Sequence, residues 1–121
     1  MKPEDKQLLL KDICARLPYN VYVEVKNAFD DVFTWKLDAY TLQEMRKLKS
    51  IKPYLRPMSS MTEEEQKEYH KTFRPEVYGN GFIYVESFRS FDWLNEHHFD
   101  YRGLIEKDLA ISTEVFNPYK D

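Results

Sequence analysis

Apolar positions along the chain recur with two different periods, which divides it into short helices and strands. Pro3 suits a first helical turn, and Leu9, Leu10, Ile13, Cys14 and Leu17 repeat at i, i+1, i+4, i+5 and i+8. They predict a helix with one buried face, ending at Pro18. Val21, Val23 and Val25 then alternate with Tyr22, Glu24 and Lys26, and Phe33, Trp35 and Leu37 alternate with Thr34, Lys36 and Asp38. A period of two is that of a strand covered on one face. The turn-forming stretch from Asn27 to Asp31 makes the two runs an antiparallel hairpin.

The next stretch is less regular. Leu42, Met45 and Leu48 keep a three-residue spacing, but the lysines among them prevent a wide apolar face, so Leu42 to Ile51 reads as a short helix or irregular segment. Ser60 stands three residues before Glu63, the spacing of a capping box, and predicts a helix from about Thr62 to Phe73, stopped by Arg74 and Pro75. Tyr78 to Gly81 is a turn, and Phe82 to Glu86 is the expected third strand, pairing with the first hairpin because a lone hairpin is marginal. Ser90 is the expected cap of a helix carrying Phe91, Trp93 and Leu94 and ending near His98. Asp100 is the expected cap of one more, with Leu104, Ile105 and Leu109 on a face. The tail from Ser112 is expected to be loose. The fold class is therefore α+β, one small domain over residues 1–121 with two or three helices in its C-terminal half.

Composition agrees with one packed body. The chain has 121 residues, 16% of them aromatic and only three glycine, and it contains no internal repeat or Ser/Gly-rich linker. No run reaches the apolar length of a membrane span or a signal segment, which predicts a cytoplasmic protein. The single cysteine, Cys14, reads as a small buried hydrophobe.

Charge changes the picture more. The net charge is -3, yet residues 42–62 hold five basic side chains and one acidic, while 63–121 hold seven and thirteen. The five are Arg46, Lys47, Lys49, Lys52 and Arg56, in a stretch with Pro53 and Pro57 that reads as an extended connector running into Glu63, Glu64 and Glu65. Those cations beside Tyr54 form a candidate nucleic-acid contact, phosphates neutralised and a base stacked on the ring. A pI near 5.7 argues against a dedicated nucleic-acid-binding domain. The preferred reading is a protein contact through Tyr54, Arg56 and His98.

Catalytic and metal patterns are weak. His97 and His98 are adjacent, about 100° apart on a helix, and lack the i, i+4 spacing of a helical zinc site; His70 lies elsewhere. Ser59 and Ser60 lie far in sequence from any histidine, Glu63, Glu64, Glu65 and Glu68 read as a solvated helix face, and Gly79 and Gly81 lack the lysine of a phosphate loop. No cofactor, metal or catalytic residue is expected. Of the aromatics, Tyr19, Tyr22, Trp35, Tyr40, Tyr54, Tyr84 and Trp93 read mostly as core, with a few left for an interface.

Three blocks carry a resemblance: LLLKDICARLPY at 8–19, IKPYLRPMSSMTEEE at 51–65 and WLNEHHFDYRGLIEKDLAI at 93–111. Together they resemble a group of short proteins of Bacteroides-type bacteria and their phages or prophages, a group without an established activity. The resemblance implies an accessory gene of a mobile element and carries no catalytic residue over. The chain departs from it at Asp108, where glycine is expected.

Overall fold

A computed structural model describes residues 2–120 as an α+β fold. Helix α1 (Pro3–Arg16) begins on proline with Glu4 and Asp5 in its first turn, both favourable at the positive end of a helix dipole. It gives way to a tight turn through Pro18, closed by Asn20 in the left-handed region at φ 59°. Leu9 and Ile13 are buried as expected, but Cys14 is exposed and Leu10 partly so. Asp12 and Arg16 are buried instead. Each satisfies the other's charge at 2.8 Å, which lets a polar pair occupy the inward face.

Strands β1 (Tyr22–Lys26) and β2 (Val32–Lys36) form the expected hairpin, with Val23 opposite Trp35 and Val25 opposite Phe33. Asn27 closes its turn by accepting from the backbone N–H groups of Phe29 and Asp31 through its side-chain oxygen. Val21, Val23 and Val25 are fully buried, whereas all five residues of β2 are exposed because β2 is the outer strand. Asp38 then caps a five-residue helix α2 (Ala39–Gln43).

The third strand of this sheet is β3 (Ser50–Leu55), the stretch that reads as a connector, and not Phe82–Glu86. It runs antiparallel to β1, with Val25 opposite Ile51 and Val23 opposite Pro53. Strand β6 (Ile111–Ser112) adds a parallel ladder at Tyr54 and Leu55, giving the order β2-β1-β3-β6. Pro53 is tolerated because the ladder on the β6 side starts only at Tyr54.

Helix α3 (Glu63–His70) is capped by Thr62 rather than Ser60: Thr62 Oγ1 accepts from the Glu65 N–H, and the Glu65 carboxylate accepts from the Thr62 N–H. It ends at His70, short of Phe73, because β4 (Arg74–Tyr78) starts there with Pro75 inside it. β4 pairs only with β5 (Gly81–Val85) across the turn at Gly79 and Asn80, making a separate two-stranded sheet. Helix α4 (Phe88–Glu96) is capped by Ser87, whose N–H donates to Ser90 Oγ; Ser90 is thus inside the helix and fully buried.

Asp100 accepts from the N–H groups of Leu104 and Ile105, as a cap would, but turns follow it instead of a helix. Asp108 sits at φ 58°, a conformation glycine adopts without strain, at the one position where the resemblance has glycine. Nor is the tail loose among the described residues. Tyr119 Oη accepts from the Tyr22 N–H at 2.9 Å and donates to the Tyr54 carbonyl at 2.8 Å, so it satisfies backbone groups of β1 and β3 at once.

One core cluster joins α1 to the sheet through Leu9, Ile13, Val23, Val25 and Leu55, with Leu104 and Leu109 from the C-terminal turns. A second, around Trp93, Leu94 and Phe99, holds α4 and takes Met61 and Tyr69 from the α3 side.

Candidate interaction surfaces

The basic stretch supplies the sheet's third strand, and that placement decides what its side chains do. Tyr54 is only 3% exposed, and its hydroxyl shares a hydrogen bond with Thr34 and reaches Glu24. Burial pushes the phenol pKa up. Arg56 forms a two-pronged pair with Glu65, both bonds at 2.7 Å, and lies 4.1 Å from the Phe99 ring centre. The guanidinium holds the Glu65 carboxyl down to about 2. The backbone of Arg56 bonds on both sides of Phe99, accepting from Asp100 and donating to the His98 carbonyl.

His98 has a left-handed backbone at φ 64° and stacks on Tyr119 with ring centres 3.9 Å apart. Burial, with the nearby charges of Arg16, His97 and Arg56, lowers its pKa to about 4, so the imidazole is neutral at pH 7. Arg56 and His98 do meet, in a recess of about 480 Å³ that also includes Glu96 and Lys120. Tyr54 does not join them at the surface. Tyr54 is buried and Arg56, its side chain 24% exposed, is held by Glu65, so the two do not present a shared exposed surface, and Tyr54 and Arg56 tie the sheet to the helices.

The cations of the stretch are also largely engaged. Lys47 pairs with Glu44, Lys49 with Asp30 and Lys52 with Asp108, at 2.8, 2.7 and 3.0 Å. Arg46 is in no ion pair among the described residues. Four of the five charges are therefore already matched by a carboxylate.

The histidines are occupied by aromatic packing: His97 stacks on Trp93 at 4.1 Å and His70 on Tyr69 at 5.8 Å. Among the described residues no group of three His, Cys, Asp or Glu is placed to hold a metal. A polar cluster that the sequence reading missed lies beneath α1. Asp12 receives Arg16 at 2.8 Å and Arg102 at 2.7 Å, while Arg16 also donates to the Phe99 carbonyl. The only sequence signal for it is an Asp and Arg four apart beside an apolar face.

Two surfaces stand apart from these braces. The first is the β4–β5 hairpin, where Val77, Tyr78, Phe82, Ile83 and Tyr84 are 48–84% exposed. Its base is held by Ser87 Oγ donating to the Thr72 carbonyl and by Tyr69 donating to Glu86. Beyond that neck both strands have a free outer edge, since among the described residues this sheet has no third strand. The sequence signal is the unbroken apolar run Phe82–Val85, where a strand with one wet face would alternate.

The second is a trough of about 680 Å³ between α1 and the chain from Leu42 to Ile51. Leu9, Leu10, Leu42, Met45 and Leu48 contribute its apolar lining, and Lys6, Arg46 and Lys49 its charges. Comparison of the chain with family models, curated proteins and solved structures finds no match. No helix among the described residues is long and apolar enough to cross a membrane.

Proposed function

We propose that this chain is a non-enzymatic interaction module that engages a protein partner through the projecting β4–β5 hairpin. The supporting observation is that ten paired residues carry five large, exposed apolar side chains and no third strand. A two-stranded ribbon is marginal in water, and exposed apolar patches of this kind mark contact sites. A partner that adds a strand to a free edge, or covers the apolar face, supplies what the hairpin lacks. The resemblance to short proteins of Bacteroides-type bacteria and their phages supports a setting as a cytoplasmic accessory protein of a mobile element. The nucleic-acid alternative through Arg46, Lys47, Lys49, Lys52 and Arg56 is weakened, because four of those cations already hold carboxylates.

The test is photocrosslinking in the native host, with the reactive residue at Tyr84 in the hairpin or at Tyr40, which is at least as exposed but lies outside it. One discrete protein adduct from Tyr84, absent from Tyr40 and lost in a Val77→Asp/Ile83→Asp chain, is the expected result. Adducts from both positions alike, or an adduct abolished by nuclease, would overturn the reading.

A further inference from the structure

The trough between α1 and residues 42–51 combines two features that together specify a ligand. Its floor is aliphatic and continuous with the core, since Leu9 and Ile51 are core residues and Leu42, Met45 and Leu48 pack against them. Leu10, which also lines the trough, is 47% exposed. Three cations surround this floor and, among the described residues, no carboxylate lines it. Lys6 and Arg46 are in no ion pair among the described residues, and Lys49 makes only an exposed one with Asp30. Two cations without an ion-pair partner among the described residues, Lys6 and Arg46, with Lys49 in an exposed pair beside them, around apolar surface in an acidic chain select for an anionic, amphipathic partner.

We infer that the trough receives an acidic amphipathic helix of a protein partner, its apolar face on Leu9, Leu10 and Met45 and its carboxylates on Lys6, Arg46 and Lys49. Shape favours this occupant over a small amphiphile. The trough is open along its solvent side, whereas small-ligand pockets bury roughly 70–90% of their ligand. A helix needs only one face covered, and presents anchors at i, i+3, i+4 and i+7 to such a groove. Single-stranded nucleic acid is the poorer fit, because no aromatic side chain lines the trough to stack on a base. The inference does not rest on the hairpin: it names a second surface, built from other elements.

The experiment is an NMR titration of the isotopically labelled full chain with two synthetic helical peptides. One carries leucines at i, i+4, i+7 and i+11 flanked by glutamates, and the other has glutamine at every glutamate. The acidic peptide is expected to shift the amide signals of Leu9, Leu10, Met45 and Leu48, with a Kd on the order of 10–100 μM. The glutamine peptide should bind at least about fivefold more weakly, and Lys6→Glu/Arg46→Glu should weaken the acidic peptide about tenfold. Both positions are exposed, so an unchanged melting temperature checks the fold; Leu10→Gln tests the floor independently.

No shift at peptide concentrations up to about 1 mM overturns the inference. So does equal binding of the two peptides, or indifference to charge reversal. Oleate or a DNA oligonucleotide shifting the same signals at lower concentration than the peptide would assign the trough to that ligand and likewise overturn it. Crosslinking at Tyr84 and titration at Met45 report on different residues, so either reading can fail alone.

Discussion

The molecule contains two hairpins of the same size, each with five residues per strand, and they meet opposite fates. In β1–β2, strand β1 gains β3 on its free side, and Val23 and Val25 lie fully buried. In β4–β5, neither edge gains a partner and nine of the ten strand residues are exposed. Strand propensity does not separate them, for both are rich in Val, Phe and Tyr or Trp. What separates them is whether a third strand and a helix arrive on one face. The stable half of the fold is therefore decided by long-range contacts, and the other half is left with surface to offer.

That contrast can be broken in several ways, and the widest gap should appear in hydrogen exchange. Amides of β1 and β3 should exchange only through global unfolding, while those of β4 and β5 open locally, with protection lower on the order of 10³-fold. Equal protection in the isolated chain would break the contrast between the two hairpins. Next, Leu55→Ala, at a fully buried position in β3, should cost about 2–5 kcal/mol by chemical denaturation. Val77→Ala in the exposed hairpin should stay within about 0.5 kcal/mol.

A smaller effect belongs to the brace behind β3. Glu65→Gln removes one charge of the Arg56 pair, whose side chains are 24% and 18% exposed, and should cost about 1–2 kcal/mol once solvent screening is allowed for. The Glu65 pKa falls from 4.5 to about 2 on folding, chiefly through its hydrogen bonds to Arg56. A depressed carboxyl contributes fully above its unfolded value, so this stability is present above pH 4.5 and disappears as pH falls through 2. The Gln variant should lack that slope.

His98 supplies a contrast of similar size at higher pH. Burial lowers its pKa from 6.5 to about 4, so its contribution is complete above pH 6.5 and is lost as pH falls through 4. Thermal melts from pH 7 to 4 should show this slope in the parent and not in His98→Asn, which also tolerates the left-handed backbone. Protection of β4 and β5, taken relative to the intrinsic exchange rate at each pH, should change less over this range, because neither Glu65 nor His98 lies on the hairpin.

Local chemistry was legible where it was self-contained. Helix α1, the β1–β2 hairpin with its Asn27 turn, the Tyr78–Gly81 turn and the body of α4 all follow from spacing and capping within a few residues. Strand β3 was hidden because Pro53 and its neighbouring lysines resemble a connector, although Ile51, Pro53 and Leu55 do share one face. Its strand character depends on the free edge of β1, which no local pattern records. Strand β4 was hidden in the same way by Arg74-Pro75, which also signals a helix stop.

The candidate sites divide along the same line. Arg46 and Lys49 stood out as cations, but their apolar floor needs Leu9 and Leu10 from another element. Tyr54 was one of several aromatics that read mostly as core, and nothing local singled it out for burial, because Glu24, Thr34 and Tyr119, which surround its polar atoms, come from elsewhere in the chain.

The parallel ladder between β3 and β6 also sets a timetable. Hairpins such as β1–β2 and β4–β5 close on the scale of microseconds, whereas Tyr54 meets Ile111 and Tyr119 only after α3, the second hairpin and α4 lie between them. During synthesis β3 therefore emerges with one flank bare and waits for the residues that will cover it. In that interval the nascent chain exposes an apolar strand edge, and chaperone contact or misassembly between neighbouring chains should concentrate there.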